Sequence, residues 1–117
     1  MALEVFELQA RLCQAMSHAT RLRIVHSLRD GPQRVADLAE ACGLSPATTS
    51  HHISVLRNSG VVTAQRQGHE IIYHISSPKI MAVCDLMREV LAEQITHQSD
   101  MTKTLLEQES ATSSGKS

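Results

Sequence analysis

Residues 36–76 read ADLAEACGLSPATTSHHISVLRNSGVVTAQRQGHEIIYHIS, and the order of the start and stop signals in this stretch decides the fold. A short amphipathic helix over 33–42 ends at Gly43, the residue type that most easily takes the left-handed conformation after a helix. Three residues later a second helix begins: Ser45 can cap it, Pro46 suits its first position, and it runs to Asn58 before Ser59 and Gly60. Residues 61–64 and 70–75 have strand composition. Between them 65–69 hold Gly68, so the pair reads as a β-hairpin. Helix, tight turn, helix and hairpin is the order of a winged helix-turn-helix.

Working outward, residues 2–16 form an amphipathic helix with Val5, Leu8, Leu12 and Met16 at helical spacing. Phe6, Ala10 and Cys13 make a neighbouring stripe, which widens its apolar arc. A second helix over 19–29 buries Leu22, Ile24, Val25 and Leu28, and Asp30-Gly31-Pro32 stops it. After the hairpin, Ser77-Pro78 repeats the cap-and-proline signal and opens a long helix, apolar at Ile80, Val83, Cys84, Met87 and Leu91. The predicted fold is mainly α with a β-hairpin wing (α+β), a winged helix-turn-helix in the order α1-α2-α3-α4-β1-β2-α5. One domain covers 1–95. Residues 96–117 hold the end of the last helix and a polar tail, expected to be disordered from Gln108.

Composition narrows the function. The chain has 117 residues, 42% hydrophobic and 20% charged, which suits one soluble domain. No apolar run reaches the roughly 20 residues of a membrane helix. The N-terminus lacks a basic leader segment, so no signal peptide is expected. Three scattered cysteines exclude a disulfide framework and point to a reducing, cytoplasmic setting. Phe6 and Tyr73 are the whole aromatic supply, which excludes a stacking platform for single strands. The net charge is −1, but it is unevenly spread. Residues 20–75 carry six Arg against Asp30, Asp37, Glu40 and Glu70, and they hold His51, His52, His69 and His74, while both ends are acidic. A basic, Arg-biased centre suits duplex DNA.

The second helix of the pair supplies chemistry for that partner. Its polar side carries Thr48, Thr49, Ser50, His51 and Ser54, short groups that hydrogen-bond base edges or phosphates at small entropic cost. Its apolar side carries Ile53, Val55 and Leu56. No Ser-His-Asp or Cys-His grouping marks a pocket, so an enzyme is not expected. Any surface helix is also polar outside and apolar inside, which leaves an interaction module without DNA binding as an alternative.

The quoted stretch strongly resembles the ArsR/SmtB family of bacterial winged-helix repressors, whose pattern is "DLA…LGLS…S.HL..L…G.V…R.G....Y.L". Residues 15–28, AMSHATRLRIVHSL, are similar to that family's second helix. The resemblance spans roughly residues 10–95. It implies a homodimer that binds an inverted repeat and releases it when an inducer binds. It carries DNA contact to Ser45, Pro46, Thr48, Ser50 and His51 on the recognition helix, and to Arg66, Gln67, Gly68 and His69 on the wing. Thr49 stands where the family usually has Val. Pro46 stands where some members have a base-reading Gln, which removes that contact.

The family's effector sites match unevenly. The thiolate site before the recognition helix falls on Arg34-Val35-Ala36-Asp37, which has no cysteine. The zinc site near the start of the last helix falls on Ser77-Pro78-Lys79, which has no ligand; Asp85, His97 and Asp100 have a related spacing two turns too late. The persulfide-sensing pair would need a cysteine where His26 stands. Cys42 reads as a small core hydrophobe. Cys13 and Cys84 lie on apolar stripes of the two helices that pair across the family's dimer. They read either as packing residues or as thiolates for a soft metal(loid) ion such as As(III) or Cd(II), for an oxidant or for sulfane sulfur. An organic inducer is the remaining alternative.

Overall fold

The computed structural model describes residues 2–115, with side chains described as far as Glu109. Its elements are α1 (Leu3–Ala15), α2 (Ala19–Ser27), α3 (Val35–Cys42), α4 (Pro46–Asn58), β1 (Val62–Gln67), β2 (Glu70–Ile75) and α5 (Pro78–Gly115). The strands form one antiparallel sheet, with Val62 opposite Ile75 and Gln67 opposite Glu70. This is the expected winged helix-turn-helix order. The chain divides into two compact units, Met1–Met81 and Ala82–Ser117.

The core of the first unit comes from the inward face of each short helix. Ile24, Val25 and Leu28 come from α2 and its cap, Leu38, Ala39 and Cys42 from α3, and Ile53 and Leu56 from α4. Val61 and Val62 close the bottom of the core. Each fully buried aliphatic side chain contributes about 1.5–3 kcal/mol, so this small cluster is the main source of cohesion. Leu22, expected inside, is exposed instead. On α1 only Ala15 is buried, while Leu3, Phe6 and Leu8 are largely exposed.

Local signals set most element ends. The Ser45 hydroxyl accepts from the Thr48 N–H at 3.1 Å, and Pro46 occupies the first turn of α4. Gly43 ends α3 with φ 66°, and the Leu44 N–H reaches back to the Ala39 carbonyl at 2.9 Å. Two boundaries differ from expectation. Helix α3 starts at Val35 because Gln33 is in extended pairing: its N–H donates to the Tyr73 carbonyl at 2.9 Å and its carbonyl accepts from the Tyr73 N–H at 2.8 Å. The hairpin turn is two residues, Gly68 and His69, because β1 continues through Arg66 and Gln67. Gly68, with φ 64°, provides the left-handed residue that such a tight turn needs.

In the second unit, α5 runs on to Gly115, past the point where the polar tail was expected to leave helix. The side chains of 110–117 and the backbone of 116–117 lie outside the described residues. From Leu86 to Glu109 every side chain is exposed. No helix among the described residues is long and apolar enough to cross a membrane.

Candidate nucleic-acid interface

Helix α4 is built to show one face. Thr49, Ile53 and Leu56 recur at spacings of four and three and are buried, which turns Pro46, Thr48, Ser50, His51, Ser54 and Arg57 to solvent. Thr49 therefore leaves the predicted contact set. It is fully buried, and its hydroxyl donates to the Ser45 carbonyl at 2.9 Å, inside the first turn of the helix. Its 49-53-56 spacing with two aliphatic residues was the signal that placed it inward. Ser45 and Thr48 remain exposed, but their hydroxyls meet at 3.0 Å, so both also serve the cap.

The wing places Arg66, Gln67 and His69 together at the exposed tip of the hairpin. Two links fix the hairpin against α3. One is the Gln33–Tyr73 bridge. The other is Arg34, which reaches Asp37 at 3.2 Å on its own helix and Glu70 at 2.8 Å on β2. That arrangement occupies the carboxylates of Asp37 and Glu70. Among the described residues Arg57 and Arg66 make no ion pair, so their charge remains available to a polyanion.

Beside α4 lies a cluster of Arg21 with His18, His51 and His52 that was not expected. Arg21 donates from Nε to the Ala15 carbonyl at 2.6 Å and from Nη2 to the Gln14 carbonyl at 3.4 Å. Its Nη1 lies 3.4 Å from Nδ1 of His52. The His52 ring sits 4.8 Å from that of His18 and 5.6 Å from that of His51. Burial, then His18, Arg21 and His51, push His52 below the usual imidazole range.

Comparison with known proteins decides what this scaffold is. A family model described as "Bacterial regulatory protein, arsR family" matches residues 18–64. The HTH-type transcriptional regulator Rv0081 of Mycobacterium tuberculosis is 32% identical over 93 residues, which is 79% of this chain and 82% of that protein. Its crystal structure superposes with a TM-score of 0.75 at 31% identity, covering 83% of this chain and 98% of that one. The chain belongs to the ArsR family. The HTH-type transcriptional regulator NmtR of M. tuberculosis is 40% identical over 76 residues, 65% of this chain and 63% of NmtR's length. The homodimeric winged helix-turn-helix DNA-binding domain of Mb0332 from M. bovis, a possible ArsR-family regulator, superposes with a TM-score of 0.74 at 28% identity, over 80% of this chain and 87% of that one. As an ArsR-family protein this chain is a transcriptional regulator with duplex DNA as its partner.

The cysteines of this ArsR-family chain have different surroundings. None of the three is in a disulfide: Cys13 on α1 is exposed, while Cys42 and Cys84 are buried. Cys42 packs in the core as expected, with its Sγ 4.0 Å from the Ser27 hydroxyl. Among the described residues no group of three His, Cys, Asp or Glu side chains is placed to hold a metal ion.

Proposed function

We propose that this ArsR-family regulator is a cytoplasmic, inducer-responsive repressor that binds an inverted-repeat operator as a homodimer. Helix α4 enters the major groove with Ser45, Thr48, Ser50 and His51, while Pro46 packs at the helix start. The hairpin lies alongside with Arg66, Gln67 and His69 on the backbone or minor groove. The observation that carries this reading is the split of α4 into a buried 49-53-56 face and an exposed polar face that includes Arg57, which makes no ion pair among the described residues. The homodimer is supported by the likeness to Mb0332 and by the exposed Leu3, Phe6 and Leu8 on α1, apolar surface that a second copy would cover.

The proposed effector route runs through Cys13 and Cys84, as thiolates for a soft metal(loid) ion or for an oxidant. Support comes from the exposed thiol on an apolar helix. One observation favours a second reading, an organic inducer. A concavity of about 410 Å³ lies between the end of α2, the end of β2 and the start of α5, with Leu28, Arg29, His74 and Met81 in its walls.

The test is selection of duplexes by the full-length protein from a random library, followed by release assays with cadmium, arsenite, a disulfide oxidant and small carboxylates. An enriched inverted repeat with half-sites about one helical turn apart is expected. Enrichment of a single half-site, or of no duplex, would overturn the reading. Release that persists in the Cys13→Ser, Cys84→Ser double variant would retire the thiols in favour of the organic site.

A further inference from the structure

We propose that Arg21 and His52 are positioning residues for operator recognition: they tie the recognition helix to the end of α1 through an imidazole nitrogen that must stay unprotonated, so mild acid erases sequence specificity. The inference rests on the reading of α4 as the groove-reading helix.

The chemistry begins with Arg21. A guanidinium has five donors, no acceptor and no accessible neutral form. Its Nε and Nη2 are committed to the carbonyls of Ala15 and Gln14, at the C-terminal end of α1. Its Nη1 points at His52 Nδ1, 3.4 Å away on α4. That contact attracts only while Nδ1 keeps its lone pair. His18 obeys the same restriction, because its Nδ1 accepts the Thr20 N–H at 3.1 Å and so caps α2. Two imidazoles 4.8 Å apart are thus both held as acceptors.

Every charged group facing His52 opposes a second positive charge. His18 at the cap of α2 and Arg21 on α2 face it, His51 adjoins it on α4, and α1 is linked to it through the carbonyls that Arg21 holds. No carboxylate acts on this ring. A proton on Nδ1 sets donor against donor and cation against cation, and the link between α1 and α4 opens. Because His52 titrates below its ordinary value in the folded chain, the link is intact above about pH 6.5 and fails as pH falls through the lower folded value.

The effect belongs to specificity rather than to total affinity. Phosphate attraction tolerates a loosely seated helix. Base-edge hydrogen bonds do not tolerate it. The readout is therefore the ratio of affinity for the selected inverted repeat to affinity for a scrambled duplex of equal length. It is measured from about pH 7.5 to about pH 5.5, with far-UV CD confirming the fold at each step. Wild type should lose roughly tenfold in this ratio over that range. His52→Asn sets an uncharged carbonyl oxygen near the Nδ1 position, and its ratio should change by less than about twofold. Arg21→Gln should lower the ratio already at neutral pH without altering the salt slope. If that variant does not fold, the His52→Asn profile decides alone. Parallel profiles for wild type and His52→Asn, or a flat wild-type profile, would overturn the positioning role while leaving DNA binding intact. Failure of wild type to select any duplex would instead remove the repressor reading, and this inference with it.

Discussion

At the scale of single residues, neighbours on α4 have opposite duties. Ser50 and His51 are exposed on the side proposed to face the groove, whereas Thr49 between the cap and Ser50 is fully buried. Ser50→Ala with His51→Ala should weaken binding to the selected operator by roughly 1–3 kcal/mol per lost base contact, with an unchanged CD spectrum. Thr49→Val should leave that affinity alone. The Ser45 carbonyl that loses the Thr49 hydroxyl still accepts the Thr49 N–H at 3.0 Å, so no buried acceptor is orphaned and stability should move by less than about 1 kcal/mol. Titration of the two variants and the wild type against one duplex, alongside thermal melts, checks both statements. A loss of affinity in Thr49→Val equal to that of the double variant would mean that the helix is rotated in the groove. Hydroxyl residues are poor guides to orientation in a bare sequence, because Thr suits a buried turn bonded to its own backbone as well as a DNA face.

At the scale of elements, what was legible followed locality. The capping serine and proline of α4 and the glycine after α3 act within a few residues, and both helix ends fall where those signals stand. The misplaced ends depend on partners far along the chain. Gln33 was read as helix, yet it pairs with Tyr73, forty positions away, and no local property announces that bridge. The hairpin turn was read too long because Gln65, Arg66 and Gln67 are polar, while the ladder that keeps them in strand conformation is decided by β2. The Arg21–His52 cluster was invisible for the same reason, since its members come from three helices. The corrected hairpin gives a sharper expectation for the wing. Arg66 now sits at the end of a rigid strand with no ion pair among the described residues. Arg66→Ala should weaken all duplexes alike and reduce the slope of log K against log salt by about one unit. A loss confined to the selected sequence would make Arg66 a base reader instead.

For the whole molecule, the exposed apolar face of α1 bears on assembly. Phe6 is 54% and Leu8 62% exposed, so charging them does not touch the core of a single copy. Phe6→Glu with Leu8→Glu should convert the proposed dimer to a folded monomer and abolish binding to the paired half-sites, with binding to one half-site surviving weakly. Sedimentation and CD on the same sample separate this outcome from unfolding, and an intact dimer would place the interface elsewhere. The Gln33–Tyr73 bridge also bears on the order in which the chain folds. Contacts among α2, α3 and α4 span short separations and form early, whereas the bridge must close a loop of about forty residues at an entropic cost of about 3 kcal/mol. The outer strand β2 is then expected to dock last and leave first, while Val62 of β1 stays in the core. Gln33→Ala keeps the backbone bridge but removes the side-chain bond to the Ser27 carbonyl that holds Gln33 in place for it, and should speed unfolding and leave the refolding limb of the chevron in place; a slowed refolding limb would put the wing in the nucleus. A regulator with such a kinetic hierarchy can lose its grip on the DNA backbone in brief excursions while its helical body stays folded.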